Sequence, residues 1–103
     1  MTDNFRIGCR GMILAPDGID HAVRAYQAFR AEDEAAAEAA YERMLPAAVF
    51  VMQGIENLIC YGKRLFGARA GIQIHDRAPA MRPNETGLAM VQRFAASLGR
   101  LPA

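Results

Sequence analysis

The 103-residue chain has no tryptophan, only two cysteines and two histidines, and a single lysine, serine and pair of threonines. Each scarcity excludes something. Cys9 and Cys60 form no Cys-x-x-Cys pair, so neither a zinc site nor a dithiol redox motif is present, and both are expected to pack as buried free thiols. His21 and His75 are 54 positions apart, with no His-x-x-x-His or Glu-x-x-His spacing, so no metal site is expected. His21 reads as a solvated side chain beside Asp20, and His75 as one that hydrogen-bonds the loop backbone next to Asp76. Ser97, Thr2 and Thr86 lie in no Gly-x-Ser-x-Gly setting and beside no evident base, which removes hydroxyl nucleophiles. Gly8 and Gly11 complete neither a dinucleotide nor a phosphate-loop fingerprint.

Charge of one sign is missing too. Twelve Lys and Arg face eleven Asp and Glu, a net charge of +1 with no basic tract, so nucleic acid and acidic membranes are not expected partners. Apolar runs such as Ala47 to Met52 fall far short of the roughly 20 residues that span a bilayer. Met1 to Asn4 are polar and lead into no apolar stretch, so no signal peptide is read and a cytoplasmic location is the expectation. What is there is ordinary globular material, 52% hydrophobic and 22% charged, enough for one small domain.

The pattern is mostly helical, with one short strand and about four helices. Gly11 to Leu14, apolar and stopped by Pro16-Asp17-Gly18, reads as a strand buried on both faces. Ile19, Val23, Tyr26 and Phe29 then fall at helical spacing, predicting a first helix over Ile19 to Arg30. Asp33 is placed to cap a second, alanine-rich helix running to Leu45, with Ala37, Tyr41, Met44 and Leu45 on its apolar side. Pro46 either kinks that helix or opens the next. Val49, Met52, Ile55, Ile59, Gly62 and Phe66 line one face of a long third helix that ends near Gly67 to Gly71. Ile72 to Pro83 reads as an ordered connection. Asn84 caps a fourth helix, buried through Leu88, Val91, Phe94, Ala95 and Leu98 and ended by Gly99.

Lys63 is the one amine a Schiff-base reaction could use, and such an amine must be desolvated or held among cations to be neutral. It sits on a helix beside Arg64, not at a strand end over a pocket, so it is not expected to act as a nucleophile. Glu56, seven residues earlier, shares its helical face and suggests a surface ion pair.

Taken together, the chain resembles the C-terminal part of the dihydrodipicolinate synthase and N-acetylneuraminate lyase family. Gly8-Cys9-Arg10-Gly11-Met12-Ile13 looks like the family's lead into its last barrel strand. Phe29-Arg30-Ala31-Glu32-Asp33, followed by Ala36, Ala37 and Glu38, is similar to its helix, Gly-Asp break and Ala-rich helix, and Arg43-Met44-Leu45-Pro46 to its Leu-Pro kink. Val51-Met52-Gln53, Ile59 to Arg64 and His75-Asp76-Arg77-Ala78-Pro79 look most like the branch that dehydrates 2-keto-3-deoxy sugar acids.

The resemblance implies that residues 1–31 are the last strand and helix of a (β/α)8 TIM barrel and 32–103 its C-terminal helical extension. It implies a class I aldolase-type lyase acting on a keto acid, with no cofactor and no metal, assembled as a homo-oligomer. Family members place the Schiff-base lysine on the sixth strand, an assisting tyrosine on the fifth and a Thr-Thr carboxylate clamp on the second. None of these has a counterpart here, so no catalytic residue is expected in the chain and it should be inactive alone. Ile13 is the one residue carried over as substrate-binding, because its counterpart in the last strand borders the bound keto acid. The rival expectation is a non-catalytic, all-helical module that self-associates through its apolar stripes.

Overall fold

The computed structural model describes residues 1–102. It is mostly helical. A short helix α1 (Thr2–Arg6) leads into a stretch without regular structure, a 3₁₀ turn at Pro16–Gly18, then α2 (Ile19–Arg30) and α3 (Glu34–Val51). After a corner at Met52 to Gly54, a second helical run is built from α4 (Ile55–Asn57), a π turn (Leu58–Gly62) and α5 (Lys63–Ala70). A long loop then leads to α6 (Glu85–Leu98).

The helix ends follow local chemistry. Asp33 accepts the Ala36 backbone N–H at 3.0 Å, and Asn84 accepts that of Gly87 at 2.7 Å, each satisfying a donor that has no partner inside its helix. Gly71 closes α5 in the left-handed conformation (φ 72°) that glycine adopts at little cost. Between α2 and α3 the same region is occupied by a non-glycine residue, Glu32 (φ 62°).

Pro46 neither ends α3 nor starts a new helix. The helix runs through it to Val51, leaving the exposed Glu42 carbonyl without its helical donor. The expected long third helix is instead broken at Met52 to Gly54, and the runs on either side meet at 108°. That corner turns the predicted apolar face outward: Val49, Met52, Ile55 and Ile59 are all more than half exposed.

The core forms where α3, the π turn, α5 and α6 meet, around Met44, Ala47, Val51, Cys60, Tyr61, Leu65, Val91, Phe94 and Leu98. Phe50 stacks between Tyr61 and Phe94, with ring centroids 5.4 Å from each. Tyr61 lies so close to α6 that a Cβ at Gly87 would come within 2.3 Å of its ring. Its hydroxyl accepts the Asn84 backbone N–H at 3.1 Å, so the glycine and the cap together seat α6 on the π turn. Leu88, expected in the stripe of this helix, is exposed.

Two further expectations are corrected. No strand occurs among the described residues; Gly11 to Leu14 has no partner to pair with, and a strand exists only as one side of a ladder. Sequence pattern also missed α1, which is anchored by Phe5 packing on Tyr26 and Phe29 at 5.3 and 5.5 Å.

Candidate functional site at the unpaired segment

Ile13, the one residue expected to touch substrate, is fully exposed at 101% relative accessibility. It lies in a run whose backbone is unusually bare. Cys9 N–H still donates to the Asn4 carbonyl, but from Arg10 to Leu14 no backbone–backbone hydrogen bond is made among the described residues. The Tyr26 hydroxyl alone reaches this run, donating to the Arg10 carbonyl at 2.9 Å. Ala15 stays in extended backbone (φ −64°, ψ 144°), where Pro16 favours it, before the chain turns into α2.

Helix α2 shows the same lack of cover. It buries His21, Ala22 and Ala25 against the helical body, while Ile19 and Val23 of the predicted apolar stripe stay exposed. With Gly11, Met12 and Leu14 these two residues border a shallow apolar cleft. A second cleft of about 140 Å³ lies on the other side of the segment, between Ile13, Leu14 and Ala15 and the Met44, Val51 and Met52 side of α3. Its walls are almost wholly apolar, and its one acid is Asp17.

The turn that carries the segment into α2 is fixed by a buried cation. Arg69, on α5, has 1% relative accessibility, and all five of its N–H donors are used. Nε donates to the Gly99 carbonyl at 2.7 Å, and the two terminal nitrogens grip the Asp20 carboxylate at 2.9 and 2.8 Å. The remaining donors go to the carbonyls of Asp17 and Leu98. Burial by itself raises the Asp20 carboxyl, but the hydrogen bonds and charge of Arg69 outweigh it and hold the group below its ordinary range. His21 lies against this network with Nε2 3.1 Å from the Leu98 carbonyl. It is therefore buried, not solvated, because α6 ends over it.

The other candidate residues are dispersed. Lys63 donates to the His75 carbonyl at 2.9 Å and pairs with Asp76 at 3.2 Å, while Arg64 takes the second carboxylate oxygen. Those two cations hold Asp76 down at about 2. Asp76, not Glu56, is thus the partner of Lys63, and Glu56 is exposed. The His75 side chain is exposed, and it is the residue's own carbonyl that is bonded. Cys60 is buried as expected, but Cys9 is exposed, since the segment beyond it is uncovered. Thr2 is buried in α1, while Thr86 and Ser97 are exposed. Among the described residues no group of three His, Cys, Asp or Glu is placed to hold a metal ion.

Asp20 and Arg69 are not singled out as a pair by sequence, and Asp17 reads only as part of the Pro16-Asp17-Gly18 turn into the helix. The pair lies 49 positions apart, and only the adjacency of Asp20 to a helix start hints at a role. No family model, curated protein or solved structure matches the chain. No single helix is long and apolar enough to cross a membrane.

Proposed function

We propose that this chain is the C-terminal segment of a Schiff-base, class I aldolase-type lyase of the dihydrodipicolinate synthase family, supplying the last strand and helix of the barrel and the helical extension. In that reading the whole enzyme acts on a 2-keto acid, either a 2-keto-3-deoxy sugar acid that it dehydrates or pyruvate in a synthase reaction. The observation that carries it is the bare Arg10 to Leu14 run, followed directly by a helix with uncovered apolar residues. A strand-forming run without a ladder partner, leading into a helix with an unpacked face, is what a βα unit looks like without its sheet.

Two further features support the reading. The accessible surface is 6880 Å², against roughly 5,700 Å² for a compact protein of 11.3 kDa. The surplus, roughly 1,200 Å², is more than one side of an ordinary protein–protein interface. Glu32, which stands where the family has the glycine of its Gly-Asp break, has the left-handed backbone that glycine favours.

The chain's own chemical share is small on this view. Ile13 presents an apolar wall beside the keto acid, the Arg69 network fixes the turn behind it, and the amine that captures the carbonyl comes from other polypeptide. Lys63 is committed to Asp76 and the His75 carbonyl, away from any enclosed pocket where a keto acid could meet its amine. Borohydride reduction in the presence of pyruvate tests this. The chain alone should gain no adduct, whereas the chain joined to the polypeptide encoded directly upstream should trap pyruvate on an upstream lysine. An adduct on Lys63, or keto-acid turnover by the chain alone, contradicts the proposal.

A second reading, a non-catalytic self-association module, is favoured by the exposed Val49, Met52, Ile55 and Ile59 at the corner between α3 and α4. It requires a monodisperse, cooperatively unfolding oligomer of the chain alone, measured by native mass and light scattering. A monomer that aggregates without a defined stoichiometry argues against it.

A further inference from the structure

Asp17 is 5% exposed, and its Oδ1 has neither a hydrogen-bond partner nor contact with solvent. The atom sits over Gly62 in the π turn: a Cβ there would lie 3.8 Å from Oδ1, 3.7 Å from Val51 and 3.1 Å from Leu58. Its surroundings on that side are therefore hydrocarbon. An ionised carboxylate with one oxygen held in such a place costs more than a neutral acid.

Apart from its own backbone N–H and the charge of Arg69, no neighbouring group relieves it. From α5, Arg69 touches only the Asp17 backbone carbonyl, and its other donors are taken by Asp20, Leu98 and Gly99. Lys63, at the start of the same helix, borders the cleft beside Asp17 but gives its ammonium to Asp76 and the His75 carbonyl. From α2, Asp20 carries the same sign of charge, and the His21 ring is bonded to the Leu98 carbonyl. Helix α3 offers only Met44, Ala47 and Val51, α6 offers Leu98, and the π turn offers Leu58 and Gly62.

We propose that Asp17 is a proton-operated latch for the Pro16–Gly18 turn. As the neutral acid it lets the turn seat between α3 and the π turn, holding Ile13 to Ala15 along the apolar cleft. On losing its proton to water, the carboxylate swings out of the hydrocarbon and loosens the Pro16 side of the turn, freeing the segment ahead of it, while Arg69 keeps its hold on the Asp17 carbonyl and on Asp20. Burial pushes this carboxyl above its ordinary value of 3.8, against the weaker downward pulls of its own backbone N–H and of Arg69. The sign follows from that direction: the seated turn is fully stabilised below 3.8 and loses this contribution as pH rises through the raised folded value. The latch is independent of the barrel reading, since it rests on contacts inside this chain.

The test is a carbon-13 titration of the side-chain carboxyls in the purified chain, read together with the amide signals of Ile13 to Gly18. Asp17 should titrate above 3.8, and the amide shifts should follow the same midpoint. D17N, which keeps the shape without the charge, should leave the turn seated at every pH and erase that transition. D17A, which removes the polar group altogether, should do the same. An Asp17 midpoint at or below 3.8, persistence of the transition in D17N, loss of the fold in both variants, or a turn disordered at every pH each overturns the latch.

Discussion

The body made by α3, the π turn, α5 and α6 and the segment from Arg10 to Leu14 obey opposite rules, although they lie side by side. In the body the polar groups with most to lose are paired: the Arg69 guanidinium fills all its donors, and both long helices that start there have capped first turns. In the segment a run of backbone donors and acceptors is left to water, and Ile13 faces solvent. Buried backbone in folded proteins is almost always paired, and large apolar side chains gain about 1.5–3 kcal/mol from burial. The contrast is that the body pairs its polar groups with its own residues, whereas the segment leaves its backbone groups without backbone partners. The form is elongated, 43 Å by 23 Å by 22 Å, with a radius of gyration of 14.4 Å where about 13 Å is usual for such a length.

If the body is self-sufficient, damage inside it should be severe. Arg69→Ala removes the bidentate partner of the Asp20 carboxylate and the donors to the Asp17 and Gly99 carbonyls at once, leaving the Leu98 carbonyl only the His21 ring, and breaking a buried pair from one side costs about 3–5 kcal/mol. The expected result in urea unfolding is loss of the cooperative transition; an unchanged midpoint would place the network outside the folding unit. Gly87→Ala comes next. A methyl at 2.3 Å from the Tyr61 ring must push α6 off the π turn, for a cost of about 1–3 kcal/mol by overpacking. Tyr61→Leu in the same chain should recover part of that loss, which a simple change of helix propensity would not.

Between the body and the segment, the loop joining α2 to α3 should respond in the other direction. Glu32→Gly relieves a left-handed backbone that costs a non-glycine residue about 1–2 kcal/mol, partly offset by the greater freedom of glycine when unfolded. A net gain of about 0.5–1 kcal/mol, read as a higher urea midpoint, sharpens the alignment with a Gly-Asp break. A loss would undo it. The smallest effect belongs to the segment itself: Ile13→Ser, at a fully exposed site, should change the stability of this chain by less than about 0.5 kcal/mol. A larger penalty would mean that Ile13 already packs against something the chain supplies.

How much of this was legible depends on the distance over which each signal acts. The limits of α2, the Asp33 and Asn84 caps and the Gly99 stop are written in adjacent residues, and the structure places them as the pattern predicts. The strand read at Gly11 to Leu14 is absent, because local propensity can suggest one but a ladder needs a second stretch of chain to pair with. The corner at Met52 to Gly54 escaped notice because apolar spacing runs straight across it, from Val49 to Ile59, and periodicity does not register a change of direction. His21 looked solvated beside Asp20. Its burial follows from α6 ending above it, 77 positions away, and no local pattern carries that.

The central claim is that the strand-forming stretch lacks partners within this chain. Amide hydrogen exchange at Gly11 to Leu14, measured where the chain is monomeric and again when it is joined to the upstream polypeptide that the proposed function requires, tests it most directly. The account predicts exchange close to the unfolded rate in the first case and strong protection in the second. Protection of those amides in the isolated monomer would contradict it.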